Sequence, residues 1–397
     1  MSEFDVILVG GGLANGLIAD RLLAQRPNLS VIILDSSDRV GGDHTWSYHA
    51  SDVTPEQDAW LRRFCIAVWP SQEVQFPAYR RSLSTGYRTM VSRNLRERLS
   101  SRDSLNLRLA TRVQDVYPDH IVLGGGEKLS ARCVIDGRGM TAMPGVSLGY
   151  QKFLGMEVET AEPHGLVHPI LMDARVEQLD GYRFIYCLPY SETVLLIEDT
   201  YYSDQSEFDC DIVRARLNAY AVEKGWRTAR LLREESGILP VVLDGKLSMI
   251  WPESSASAAT KSARSGMRAG LFHHTTGYSL PFAASAAEKL ALLTPLTTTT
   301  AMRCLRACAE IAWQRQSFFR LLNRLLFIAA DGGQRRRVFE RFYRLPQPLI
   351  ERFYAADLTV TDKARILVGR PPVSVGRAIG AISPKAAASR RTTSPAS

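Results

Sequence analysis

Apolar residues form a short run at Val6 to Val9 and again at Val31 to Leu34, with a helix-spaced stretch between them. This predicts strand, helix and strand, and the joint between the first two elements is Gly10-Gly11-Gly12-Leu13-Ala14-Asn15-Gly16. Helical spacing returns from Val91 to Leu99, and short strands are expected at Leu107 to Leu109 and Ile121 to Leu123. Gly124-Gly125-Gly126 then reads as a hairpin turn, because a strand and not a helix follows it. Ala131 to Asp136 is predicted as a buried strand leaving through Gly137-Arg138-Gly139, and the polar, aromatic segment 42–49 as loop. From about Gln151 to Leu247 helical periodicity fades and alternation takes over, with a hairpin expected between Tyr182 to Leu188 and Val194 to Asp199. Gly266 to Pro281 is again glycine-rich, Phe282 to Leu293 is predicted as a helix of small residues, and Ala301 to Ala330 as an amphipathic helix broken at Gly332-Gly333. Shorter helices are expected from Phe339 to Val368, and the Ala, Ser, Thr, Pro and Arg tail from about Ile379 is expected to be disordered.

The glycine-rich joint carries the first chemistry. Gly10 turns the chain, Gly12 admits a pyrophosphate close to the backbone, and the helix start at Leu13 and Ala14 offers free N–H groups at a positive dipole end. Asp35 falls where an acid accepts hydrogen bonds from an adenosine ribose. The third glycine of the G-x-G-x-x-G pattern is replaced by Asn15, with Gly16 next to it, so the packing of helix on strand must tolerate a side chain or shift by one residue. Arg39, Gly41, Gly42 and Thr45 continue as R-x-G-G-x-x-T, an arrangement that resembles flavoproteins more than simple NAD dehydrogenases and favours FAD. In flavoproteins of this layout a strand such as 131–136 rejoins the first sheet and its turn, here at Gly139, passes the dinucleotide; the turn at Gly277 would present N–H groups to the flavin.

The fold expected is α/β: a Rossmann-type FAD-binding domain over 1–150, discontinuous and completed by about 262–300, and a substrate domain on an antiparallel sheet over 151–261. A helical region over 301–378 follows, then the tail 379–397. Arginines among the Trp, Phe and Leu residues of 313–328 suit either a core-packing helix or one lying in a membrane interface. The composition, 45% hydrophobic and 23% charged, is that of an ordinary globular chain. A net charge of +8 is scattered and comes with no nucleic-acid motif, so nucleic acid is not expected as a partner. Six cysteines show no CxxC pair and no zinc spacing, which predicts reduced thiols, a cytoplasmic setting and no metal. No apolar run approaches the roughly 18 residues that span a bilayer.

Taken together, the segments 10–19, Gly41-Gly42-Asp43-His44-Thr45-Trp46, Leu196-Ile197-Glu198-Asp199-Thr200, Thr276-Gly277-Tyr278-Ser279-Leu280-Pro281 and 346–354 closely resemble bacterial lycopene beta-cyclases, over a match running to Pro372. The resemblance implies a flavoprotein in which reduced FAD, recharged by NADPH or NADH, supports a cyclisation of linear carotenoids without net redox change. It implies lycopene as substrate and β-ionone rings as product through γ-carotene to β-carotene; the insolubility of such a substrate and the 313–328 helix face add an expected attachment to the inner face of the cell membrane, with contact with other carotenoid-pathway enzymes. Its essential glutamate maps onto Glu198, with Asp199 beside it. Successive side chains of a strand point to opposite faces, so only one of the two looks into a pocket. Asp43, His44, Tyr278 and Asp357 are further candidates for shaping the site, and Trp46 and Phe282 for its walls. A polyisoprenoid reductase or monooxygenase on the same fold, and a non-catalytic prenyl-lipid carrier, are the alternatives.

Overall fold

The computed structural model of the 397-residue chain describes residues 3–140, 143, 145–179, 181–207, 209–252, 262–368 and 380–381. Its first sheet grows around the strand Phe4–Val9, with Val31–Leu34 on one side and Lys128–Asp136 on the other, all parallel. Leu105–Arg108 extends it beyond Val31–Leu34, while His120–Leu123 and Val113–Val116 continue it antiparallel on the far side. Every residue of Val31–Leu34 is buried, as in a parallel strand covered on both faces. The helix Leu13–Gln25 packs on this sheet and along the helix Leu280–Ala291, which brings the chain's two glycine-rich segments together.

The second sheet runs in the order Thr228–Asp244, Ser147–Thr160, Val194–Ser203, Tyr182–Pro189, Ile170–Asp173, Gln72–Phe76, Tyr79–Leu83. Its centre is the expected hairpin, with Tyr186 opposite Glu198. The sheet crosses the boundary drawn at residue 150: two strands come from residues 72–83, and Ser147–Thr160 straddles the line. Those strands are recruited by distant partners, which local periodicity does not register.

Three further segments differ from the sequence reading. Residues 42–49, expected as loop, hold the strand Thr45–His49, paired with Tyr87–Val91 in a small third sheet, so the helix expected from Val91 begins at Ser92. The helix Cys210–Glu223, capped by the Asp209 side chain, interrupts the β-rich stretch. The long helix is divided into Thr298–Arg315, Ser317–Arg324 and a π-helical turn Leu325–Ala329, and Gly332-Gly333 open the next helix under an Asp331 cap instead of ending the previous one. Trp313, Phe319, Leu326 and Phe327 are buried in the protein's own cores. That part of the apolar face is turned inward, while Phe318, Leu321, Leu322 and Leu325 stay half-buried. Among the described residues no helix is long and apolar enough to cross a membrane. Of the tail from about Ile379, only Gly380 and Ala381 lie within the described residues.

Candidate active site

A cleft of about 1880 Å³ opens at the carboxyl ends of the first sheet, lined among others by Gly10, Gly12, Asp35, Gly42 and Gly139. Gly10 sits at φ +91°, where a Cβ would come within 2.8 Å of the Gly137 backbone. Gly12 and Gly139 are the reverse case: open space lies where their Cβ atoms would stand, room that a ligand's phosphates can enter. Gly12 is also the N-cap of Leu13–Gln25, and no side chain caps that end, so the N–H groups of its first turn at Leu13 and Ala14 are left for a ligand. Asp35 accepts hydrogen bonds from the N–H of Gly11 at 2.5 Å and of Ser37 at 2.7 Å, fixing the acid against the loop.

Asn15 shows how the loop does without its third glycine. Its buried amide donates to the carbonyls of Val9 and Gly10 at 3.0 and 2.8 Å and accepts from the Ser265 hydroxyl at 2.7 Å. The room comes from Gly137, where a Cβ would stand 2.6 Å from the Asn15 amide nitrogen, and the close helix contact moves to Gly16 against Leu95. Arg39 is exposed, pairs with Asp38 and Asp43, and is not among the residues lining the cleft. Gly10→Ala should cost about 1–3 kcal/mol by overpacking and weaken dinucleotide binding. Thermal unfolding and a dinucleotide titration read the two effects separately.

His44 lines this cleft and also a second one, of about 1140 Å³, between the second sheet and the strand Thr45–His49. Its walls are mostly apolar and aromatic, with Trp46, Phe153, Phe184, Tyr186, Tyr202 and Tyr278 around Glu198. The Thr200 hydroxyl donates to Glu198 Oε1 at 2.7 Å and aims the carboxyl. Burial, then the nearby Glu235 carboxylate, holds Glu198 up to about 8, so it carries its proton at neutral pH. Tyr87 bridges the hydroxyls of Tyr186 at 2.9 Å and Tyr278 at 2.8 Å, and Ser47 lies 3.0 Å from Tyr186. Burial raises all three phenols well above their ordinary range, so they act as neutral hydrogen-bonding groups. Gly277, at φ +72°, carries the turn that brings Tyr278 into the wall.

Asp199 points the other way. It is fully buried on the opposite face, where Arg183 grips it at 2.8 Å through Nε and again through Nη2 and the Tyr201 hydroxyl donates at 2.9 Å. It therefore does not face the pocket beside Glu198. Asp43 is half-buried and pairs with Arg39, Asp357 is exposed and pairs with Arg315, and Phe282 packs between the two main cores outside the pocket lining. Tyr186 and Tyr202 were not singled out from the sequence, although alternation along their strands puts them on the faces of Phe184 and Glu198. Tyr87, Phe153 and Glu235 reach the site from strands whose register no local signal gave.

Residues 5–379 match the family described as lycopene cyclase protein. Lycopene beta-cyclase of Pseudescherichia vulneris is 48% identical over 374 residues, 94% of this chain and 96% of that one. Its counterpart in Pantoea ananas is 45% identical, over 96% and 98% of the two chains. Among solved structures, the flavin-dependent brominase Bmp2 aligns with a TM-score of 0.59 at 11% identity over 91% of this chain and 97% of its own. A geranylgeranyl bacteriochlorophyll reductase-like protein of Thermoplasma acidophilum gives 0.56 at 12% identity, over 96% of each chain. At such identities the two structures share the fold with this protein and nothing finer. The chain belongs to the lycopene cyclase family.

Proposed function

We propose that the protein is a lycopene beta-cyclase that closes the ends of lycopene, and of related linear carotenoids, into β-ionone rings by acid/base chemistry. The observation carrying this reading is a carboxyl, Glu198, set in an aromatic pocket that meets a glycine-lined dinucleotide cleft at His44. Gly10, Gly12, Asp35, Gly42 and Gly139 would hold FAD. Bound there in its reduced form, with NADPH or NADH as reductant, it would supply negative charge near a developing cation.

The chain's own residues supply the proton and the enclosure. Glu198 gives its proton to C2 of the terminal C1=C2 bond; the C5=C6 bond attacks the cation at C1, closing the ring through C1–C6 and leaving a cation at C5, and loss of the C6 proton to a base forms the C5=C6 double bond of the β-ring. A hydrocarbon is a weak base, so the donor must be aimed and kept from water, as the Thr200 hydrogen bond and the aromatic walls do for Glu198. Those walls are largely aromatic, and an aromatic ring can stabilise a carbocation in a dry site. The substrate's insolubility requires delivery from a lipid surface at the cytoplasmic face, and a net charge of +8 favours an anionic one. The test is anaerobic incubation of the purified protein with lycopene in anionic liposomes, FAD and NADPH. β-Carotene should form with the protein co-sedimenting, and with far less nicotinamide oxidised than rings closed. Nicotinamide consumed ring for ring would favour a reductase instead.

A further inference from the structure

Three strands lie abreast where the acid stands, and the middle one carries a glycine. Gly155 pairs with Glu198 on one side and with Glu235 on the other, so both glutamates rise from the same face of the sheet with no side chain between them. A Cβ at Gly155 would stand 3.4 Å from Glu235 Cγ and 3.5 Å from Glu198 Oε2. We propose that Glu235 is a positioning residue for the reaction: its carboxylate, fixed across Gly155 from Glu198, keeps the proton donor in its acid form. The inference rests on the reading of Glu198 as that donor.

Glu235 is held for this task from several directions. Its Oε2 accepts from the Thr45 N–H at 2.8 Å and lies 3.2 Å from Arg233, while Oε1 is buried without a partner. Arg233 is shared: it also binds Glu157 at 3.0 Å, the Thr45 hydroxyl at 2.7 Å and the Asp43 carbonyl. Glu157 takes a second guanidinium, Arg93 at 2.9 Å, while Arg233 is the one beside Glu235, and a like charge across Gly155 opposes ionisation of Glu198. The other groups around Glu198 do not replace this effect. Tyr186 on the adjacent strand and Tyr278 in the turn are neutral phenols, Cys187 is a thiol raised by burial, and Asp199, paired with Arg183 on the far face, pushes in the same direction as Glu235 but more weakly. His44 enters from the cleft side, and the Thr200 hydrogen bond and then Arg233 favour the charged form of Glu198. Thr45 belongs to the strand that walls the pocket, so the contacts that place Glu235 also clamp that wall to the acid-bearing sheet.

The experiment is the pH dependence of kcat/KM, which reports the free enzyme's ionisations. The native enzyme should lose activity as pH rises through about 8, where Glu198 gives up its proton. Glu235→Gln should move that limb down by roughly one pH unit or more, with activity recovering in acid, and Glu235→Asp should return it towards the native position. A Glu235→Gln enzyme weakened equally at every pH would overturn the proposal. Should that variant not fold, infrared titration of the native protein decides: the carboxyl band absent from Glu198→Gln must persist at neutral pH, and a midpoint in the ordinary carboxylate range overturns the idea. An active Glu198→Gln enzyme would instead defeat the donor assignment itself, whatever Glu235 does.

Discussion

Glu198→Gln is expected to slow cyclisation by about 10²–10⁴-fold, the range that a positioned general acid supplies, while dinucleotide binding and thermal stability stay close to native. Glutamine has the shape of the acid and still accepts from Thr200, so the pocket keeps its form. What it lacks is a proton acidic enough to reach a hydrocarbon. No neighbour substitutes: the three phenols hold their protons far more tightly, and Asp199 lies on the other side of the sheet. Product analysis alongside the flavin absorbance separates loss of chemistry from loss of cofactor. An active, flavin-loaded Glu198→Gln enzyme would take Glu198 out of the acid role.

Arg183→Met is expected to cost about 3–5 kcal/mol of stability, because it strands the Asp199 carboxylate in the interior. Arg183 and Asp199 are 7% and 0% exposed and meet through three close N–O contacts, so water cannot take over the role of the lost partner. Urea unfolding measures the loss. The alkaline limb of the pH profile should stay in place in whatever fraction folds, since this pair faces away from the pocket. A moved limb would mean that Asp199 communicates with the reacting groups after all.

The dinucleotide loop was readable in the sequence because its geometry is local: strand, glycine turn, helix and Asp35 follow one another within one βαβ unit. The hairpin carrying Glu198 was readable for the same reason, and alternation alone implied that Asp199 must face away. The carboxylate partner across Gly155 was not. The pairing of Thr228–Asp244 with Ser147–Thr160 contains irregularities at three places, and each bulge changes which residues share a face. Counting along the strand therefore does not bring Glu235 to Glu198. Asn15 was legible as a departure but its remedy was not, since the space for it is made by Gly137 and its hydrogen bond by Ser265, both far along the chain. The arginine-bearing helix admitted both readings in the sequence, because an amphipathic face looks the same whether it meets lipid or protein, and the structure buries part of that face in the protein's own core.

The most direct test of the central claim is cyclisation under anaerobic conditions in deuterated water, with the mass of each product resolved by chromatography. A redox-neutral, proton-initiated reaction predicts one deuteron gained at C2 and one hydrogen lost from C6 for each ring closed, so γ-carotene and β-carotene should be heavier by one and two mass units, with no gain in ordinary water. A product carrying two extra hydrogens per turnover in ordinary water, with nicotinamide oxidised in step, would contradict it and mark the protein as a reductase.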